Sequence, residues 1–343
     1  YILSDGFELI STNVSFQNAL MEKIQIWLNS EAFPIEAKSL LIQIITLFLP
    51  VIGNVLYTPE DNNLFIQMML TLTQFYEFKN DSYEFWSYLV QETPQLLICS
   101  NPALAEMSLK DLDELLDKYP NLENDDEIII LNIFNFWLNM SETEKTDPES
   151  TLNIIGELIP SFLPFLLLNA QKIIDPAILP EDENYSIFSS LSQLILKFTN
   201  LYPAIAIPIL IQYGVEAIKS DDIRQKEMGL FSINTAIYYF SEDNDETKGF
   251  CMQSITFALN IIGSEVDIEN SEQIKFISQC IENVYNIHFL YPDLIDYSII
   301  LPRLLEFMVT PIHKNSQLLI IEIIKKENFE NEQLFQLITS LLS

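Results

Sequence analysis

Apolar residues along this chain recur at intervals of three and four over stretches of helical length, separated by short breaks rich in Pro, Asp, Asn and Ser. That period marks helices with one face to bury. Ser15 precedes Phe16, Leu20, Ile24 and Trp27-Leu28, spaced by four, four and three. Pro34 opens a second helix predicted to run through Leu49 and to end at Pro50. Asp61 begins a run holding Leu64, Phe65, Met68, Met69 and Leu72. Asp81 or Ser82 is expected to cap a helix containing Phe85, Trp86 and Leu89. Asp125 and Asp126 lead into Ile128 to Leu138, apolar nearly all round, as a helix buried between layers would be. Pro203, Pro292 and Pro311 each stand where a helix should begin, since proline's missing N–H costs little at a first helical position. The pattern continues to Leu342, with no sustained alternation of period two to suggest strands.

Each segment is too apolar to stand alone and must bury a face on its neighbours, which is how stacked helix pairs read in sequence. The expected fold is all-α: a solenoid of HEAT-like antiparallel helix pairs, about seven repeats of about 40 residues. We expect one continuous solenoid over 1–343, with softer breaks near 143–150 and 174–184. The first residue is Tyr1 rather than Met, so the chain is expected to be a piece of a longer protein. Leu40 to Tyr57 and Ile154 to Ala170 could be mistaken for membrane spans. Both are interrupted by proline and polar residues, and buried helices are the expectation.

Composition sharpens this picture. Hydrophobic residues make up 49% of the 343 and charged residues 19%, enough for a large core. Only seven glycines are present, which favours helices joined by short polar loops over glycine-dependent sheet corners and nucleotide-binding turns. The net charge of −32 argues against direct nucleic-acid binding and for basic protein partners. Acidic clusters fall in the predicted breaks: Glu123 to Glu127, Glu181-Asp182-Glu183, Asp221-Asp222, Glu242 to Glu246 and Glu265 to Glu272. At the edges of a solenoid such loops would form an acidic ridge or wall. An acidic residue at a helix start also has a plain role as a cap.

Catalytic chemistry is not encoded in any motif found. The two histidines, His288 and His313, lack acidic or thiol partners at ligand spacing, so no metal or cofactor is expected. Cys99, Cys251 and Cys280 are sparse and unpaired in sequence, which fits a reducing compartment. Aromatic pairs such as Phe85-Trp86, Phe136-Trp137 and Tyr238-Tyr239 are expected to be wedges between stacked helices.

From Glu181 to Met308 the chain resembles the importin-β superfamily, the karyopherins, and most of all its transportin-3, importin-13 and exportin branch. The acidic tract Glu181-Asp182-Glu183 precedes a helix with Phe188 and Leu191. Ser220-Asp221-Asp222-Ile223-Arg224-Gln225-Lys226-Glu227-Met228-Gly229-Leu230-Phe231 is similar to a repeat of those receptors in which a charged step opens a helix. In this repeat Arg224 and Glu227, one turn apart, are expected to pair. Gln273 to Phe289 followed by Leu290-Tyr291-Pro292-Asp293-Leu294 resembles a helix, a Tyr-Pro-acidic break and a second helix. Ile223 departs from an expected Trp and Gly229 from the usual Ala. The resemblance implies a non-enzymatic nuclear transport receptor shuttling between cytoplasm and nucleus, binding basic cargo and, through more N-terminal repeats, the GTPase Ran. FG nucleoporins are further implied partners. The candidate protein-binding residues are Glu181, Asp182, Glu183, Asp221, Asp222, Arg224, Asp243, Asp245 and Glu246. The alternative is a HEAT or armadillo scaffold outside transport, or a regulatory subunit; a third reading is the helical part of an enzyme whose catalytic module lies elsewhere.

Overall fold

A computed structural model describes residues 14–56, 61–92, 101–119, 121–146, 153–173, 187–240, 245–264, 267, 270–307 and 313–327. Among them are fourteen α-helices and no strands. They are α1 (Val14–Asn29), α2 (Ile35–Leu56), α3 (Asp61–Thr73), α4 (Tyr76–Glu92), α5 (Asn101–Leu116), α6 (Asn124–Thr146) and α7 (Ile154–Ile173). Then come α8 (Ile187–Leu201), α9 (Pro203–Ala217), α10 (Ile223–Tyr238), α11 (Asp245–Ile262) and α12 (Ser271–Leu290). A 3-10 turn, Pro292–Leu294, precedes α13 (Tyr297–Glu306) and α14 (His313–Glu327).

Consecutive odd and even helices pack as pairs: α1 on α2, α3 on α4, α5 on α6, α9 on α10, α11 on α12 and α13 on α14. In the remaining pair, Phe162 of α7 and Phe198 of α8 meet at 5.5 Å between ring centroids. Even helices also stack on even ones, α2 on α4 on α6 and α10 on α12 on α14. The chain is an all-α solenoid of HEAT-like helix pairs. By packing the helices divide into two compact units. The first holds α1–α6, α7 through Phe162, and Ser189–Leu201 of α8; the second holds the rest of α7, the start of α8, and α9–α14.

In the first unit the core repeats a motif. Trp86 and Trp137 are fully buried, each edge-on to the preceding Phe at 5.2 Å. A buried indole needs an acceptor for its N–H. Trp86 Nε1 donates to Thr73 Oγ1 on α3 (3.0 Å), and Trp137 Nε1 donates to Ser108 Oγ on α5 (3.1 Å). In these two pairs an aromatic anchor therefore ties the even helix to its odd partner. Even helices are joined to each other by amides: Asn132 Nδ2 donates to Asn80 Oδ1 (2.8 Å) and Asn139 Nδ2 to Ser87 Oγ (2.6 Å).

The second unit uses the same amide device. Asn234 Nδ2 on α10 donates to the Gln279 carbonyl on α12 (3.0 Å), and Asn283 Nδ2 donates to Asn234 Oδ1 (2.8 Å). Its pairing of α9 with α10 is closer. A Cβ added at Gly214 would lie 2.9 Å from the Gly229 carbonyl oxygen, and one at Gly229 would lie 2.9 Å from Ile218 Cγ2. Glycine is required at this crossing because the two backbones leave no room for a methyl group. That is the physical reason for the departure from alanine at Gly229.

Three sequence expectations are corrected. Helix α2 does not stop at Pro50 but continues to Leu56, the proline being accommodated within the helix. Asp81 and Ser82 are not caps: α4 begins at Tyr76, and Asp81 is buried within it, accepting from Ser39 and from Gln43 Nε2 (2.9 Å) on α2. Pro292 opens a 3-10 turn rather than an α-helix, while Pro203 does open α9. Of the stretch 143–150, where a softer break is expected, 143–146 close helix α6 and 147–150 lie outside the described residues. Pro311, Cys99, 174–184 and the pattern from 328 to Leu342 lie outside the described residues.

Candidate binding surface

The acidic clusters sort by what holds them. Asp126 begins near a loop yet is 2% exposed. Its carboxylate receives Lys118 Nζ (2.9 Å), Tyr76 Oη (2.9 Å) and the Glu123 backbone N–H (3.4 Å). The last contact is the return half of a capping box at the start of α6. Burial would raise this carboxyl, but donation from Lys118 and Tyr76 outweighs it and holds Asp126 below the usual range. Burial and the hydrogen bond to Asp126 in turn push Tyr76 up to about 12. Lys118 also lies over the Tyr76 ring at 5.5 Å. Asp111, buried on α5, is likewise satisfied by Lys79 Nζ (2.5 Å) and Tyr83 Oη (2.8 Å) from α4. These carboxylates are committed to structure.

Of the residues singled out in the sequence, Asp221 and Asp222 are exposed between α9 and α10. Asp222 is the N-cap of α10, accepting from the Arg224 backbone N–H at 2.9 Å. Arg224 is half-buried on the first turn of that helix, and Glu227 is buried one turn on. Met228 is fully buried, and Phe231 packs on Phe188 at 6.2 Å. Asp245 is exposed at the start of α11. Glu181, Asp182, Glu183, Asp243 and the side chain of Glu246 lie outside the described residues. The structure thus brings Asp221, Asp222 and Arg224 together at one helix start.

A different site emerges on the even helices of the second unit. Tyr238 on α10, Ile281, Glu282, Tyr285 and Asn286 on α12, and Leu318 on α14 line a groove of about 390 Å³. Tyr238 is 69% exposed, so it is a surface aromatic and not the expected core wedge, although its ring meets Tyr239 edge-on at 5.0 Å. Tyr285 packs on Phe289 at 4.9 Å, and Phe289 is itself 56% exposed. Glu282 is exposed, and the protein packed beside it pushes its carboxyl up from the ordinary value. It has no hydrogen-bond or ion-pair partner among the described residues. The groove was missed because its members come from segments far apart in sequence, joined only when α10, α12 and α14 stack. The one local signal is Ile281-Glu282 and Tyr285-Asn286 at i and i+4, an acid set among apolar and aromatic neighbours on one face.

His288, Cys251 and Cys280 are other described groups whose chemistry could matter. His288 is 2% exposed and packs edge-on to Phe289 at 5.5 Å, away from any metal-like cluster. Among the described residues no group of three or more His, Cys, Asp or Glu converges to hold a metal ion. Burial pushes the Cys251 thiol up to about 12 and raises Cys280 as well, so neither forms a thiolate near neutral pH. Helix α7 is long and apolar enough to cross a membrane by length and composition. Phe162, Leu163, Leu166, Leu167 and Ala170 on it are nevertheless fully buried in the protein.

No protein-family model matches the chain, and no curated protein matches it in sequence. Solved structures do. Importin-β crystallised in an ammonium sulfate condition superposes with a TM-score of 0.71 at 14% identity, over 91% of this chain and 36% of its own. Kap95p, in a structure concerning its binding to RanGDP, superposes with a TM-score of 0.72 at 14% identity, over 94% of this chain and 37% of its own. The fold is importin-β-like. The chain therefore spans little more than a third of the length of either protein. The importin-β-like fold extends across almost the whole chain, whereas the sequence resemblance covered only Glu181 to Met308.

Proposed function

We propose that this chain is a segment of a karyopherin-type nuclear transport receptor. In this reading one continuous helical solenoid binds basic protein cargo, and its affinity is coupled to the nucleotide state of Ran. The observation that carries the reading is the importin-β-like fold over more than nine-tenths of the chain. The net charge of −32 supports the choice of cargo, because a surface this acidic attracts cationic segments and speeds their encounter. Stacked helix pairs that touch mainly their neighbours deform at low free-energy cost, which suits a receptor that changes curvature as partners exchange. Ran enters by analogy with Kap95p, and FG nucleoporins and shuttling between cytoplasm and nucleus follow from the same reading. No catalytic step is involved.

The acidic loops Glu181–Glu183, Asp221-Asp222 and Asp243–Glu246, with Arg224, are proposed cargo contacts. Because Asp222 caps α10, its reversal to lysine would disturb the helix start as well as the charge. Asp221→Asn with Asp222→Asn keeps a capping side chain and removes only charge. The receptor reading is tested by capture from cell extract with the full-length protein as bait and Ran held in its GTP or GDP form. Basic partners that exchange with RanGTP are expected. Partners indifferent to Ran would sink the transport reading and leave a helical scaffold outside transport.

A further inference from the structure

We infer that the groove between α10, α12 and α14 is a pocket for a single lysine or arginine side chain presented by a basic segment of a partner protein. Glu282 stands in it without a protein partner, beside two tyrosine rings, Tyr238 and Tyr285, and the amide of Asn286. An exposed carboxylate flanked by aromatic rings and apolar side chains offers a basic side chain a charge partner and a packing surface at one place. The buried carboxylates Asp111 and Asp126 are met internally, by Lys79 and by Lys118. Glu282, exposed and unmatched among the described residues, leaves its charge open to a cation from outside. The walls suit it, since a tyrosine face attracts a cation within about 6 Å of its centroid. Ile281 and Leu318 suit the methylene stem of a long basic side chain, which packs on apolar surface while its head stays polar. The surrounding net charge of −32 selects a cationic partner over an acidic one.

The inference deepens the proposed function by naming where one basic residue is read. It also fails separately from that reading, because its test contains no Ran. The probe is a fluorescein-labelled lysine-glycine repeat peptide, titrated into the 343-residue chain by anisotropy at physiological salt, with a lysine-acetylated version as control. Glu282→Gln is compared with Glu84→Gln, which removes the same charge from α4 in the first unit. Diffuse attraction to −32 charges would weaken slightly and equally in both. A pocket predicts that Glu282→Gln loses about tenfold in affinity and Tyr238→Ala several-fold, while Glu84→Gln stays within about twofold. The acetylated peptide should bind wild type no better than the unmodified peptide binds Glu282→Gln. Equal losses for Glu282→Gln and Glu84→Gln, or none for either, overturn the assignment. So does spermidine displacing the peptide at equal concentration, which would mark a site for free polyamines. Circular dichroism of Tyr238→Ala, a change at an exposed ring, should match wild type; if it does not, Glu282→Gln alone decides.

Discussion

The two units carry the same helix-pair architecture but differ in the carboxylates that stand out in each. In the first, Asp81, Asp111 and Asp126 each find donors on a neighbouring helix or loop, so carboxylates cross-link the stack. In the second, α10 and α12 are joined by Asn234, Gln279 and Asn283, while Glu282 is left unpaired at the surface. The contrast separates two uses of one residue type. A carboxylate whose lone pairs are filled from within the protein is a structural element, and one held unfilled in a crowded groove is available to a partner. Net acidity alone does not distinguish them.

The largest expected effect comes from breaking a filled carboxylate. Asp111→Ala strands the Lys79 ammonium, 8% exposed, and removes the acceptor of Tyr83, so urea unfolding should show a loss of about 3–5 kcal/mol. A change near 0.5 kcal/mol would put this pair with ordinary surface ion pairs. Next comes the helix crossing particular to the second unit. Gly229→Ala forces a methyl group against Ile218 and Ala217 and should cost about 1–3 kcal/mol. Stabilisation would mean that α9 and α10 separate without loss.

Tyr76→Phe should cost about 1 kcal/mol at neutral pH by removing one donor to Asp126. Its pH dependence has a definite sign. The folded-state hydroxyl titrates near 12 against 10 for an ordinary tyrosine. The contribution is therefore whole below pH 10 and is lost as pH rises toward 12. Melting temperatures of wild type and Tyr76→Phe should converge over that interval. At the acid end Asp126, held below its ordinary value, contributes stability that is lost as pH falls through its lowered value, with Tyr76→Phe showing a smaller loss. Asp222→Ala should cost about 1 kcal/mol as a lost N-cap, with Asp222→Asn near wild type.

Much of the architecture could be read from sequence because helix pairs leave a local record. The period of Phe85-Trp86-Leu89 and the placement of Pro203 report burial and helix start within a single segment. Errors arose where neighbours override local rules. Asp81 has the composition of a cap, but Ser39 and Gln43, some 40 residues earlier, make an interior place for it. Tyr238 has the spacing of a core wedge, yet its side of α10 faces solvent. The groove was illegible for the same reason: whether Glu282 is paired depends on what α10 and α14 bring beside it. Asp222 was legible both as acidic and as a cap, and the geometry shows the cap.

The most direct measurement is a paired comparison of Asp111→Asn and Glu282→Gln, recording melting temperature and affinity for the lysine-glycine peptide on the same samples. The account predicts that Asp111→Asn melts well below wild type but binds unchanged while folded, whereas Glu282→Gln melts with wild type and loses about tenfold in affinity. The opposite pattern, with Glu282→Gln destabilised and still binding, would contradict it.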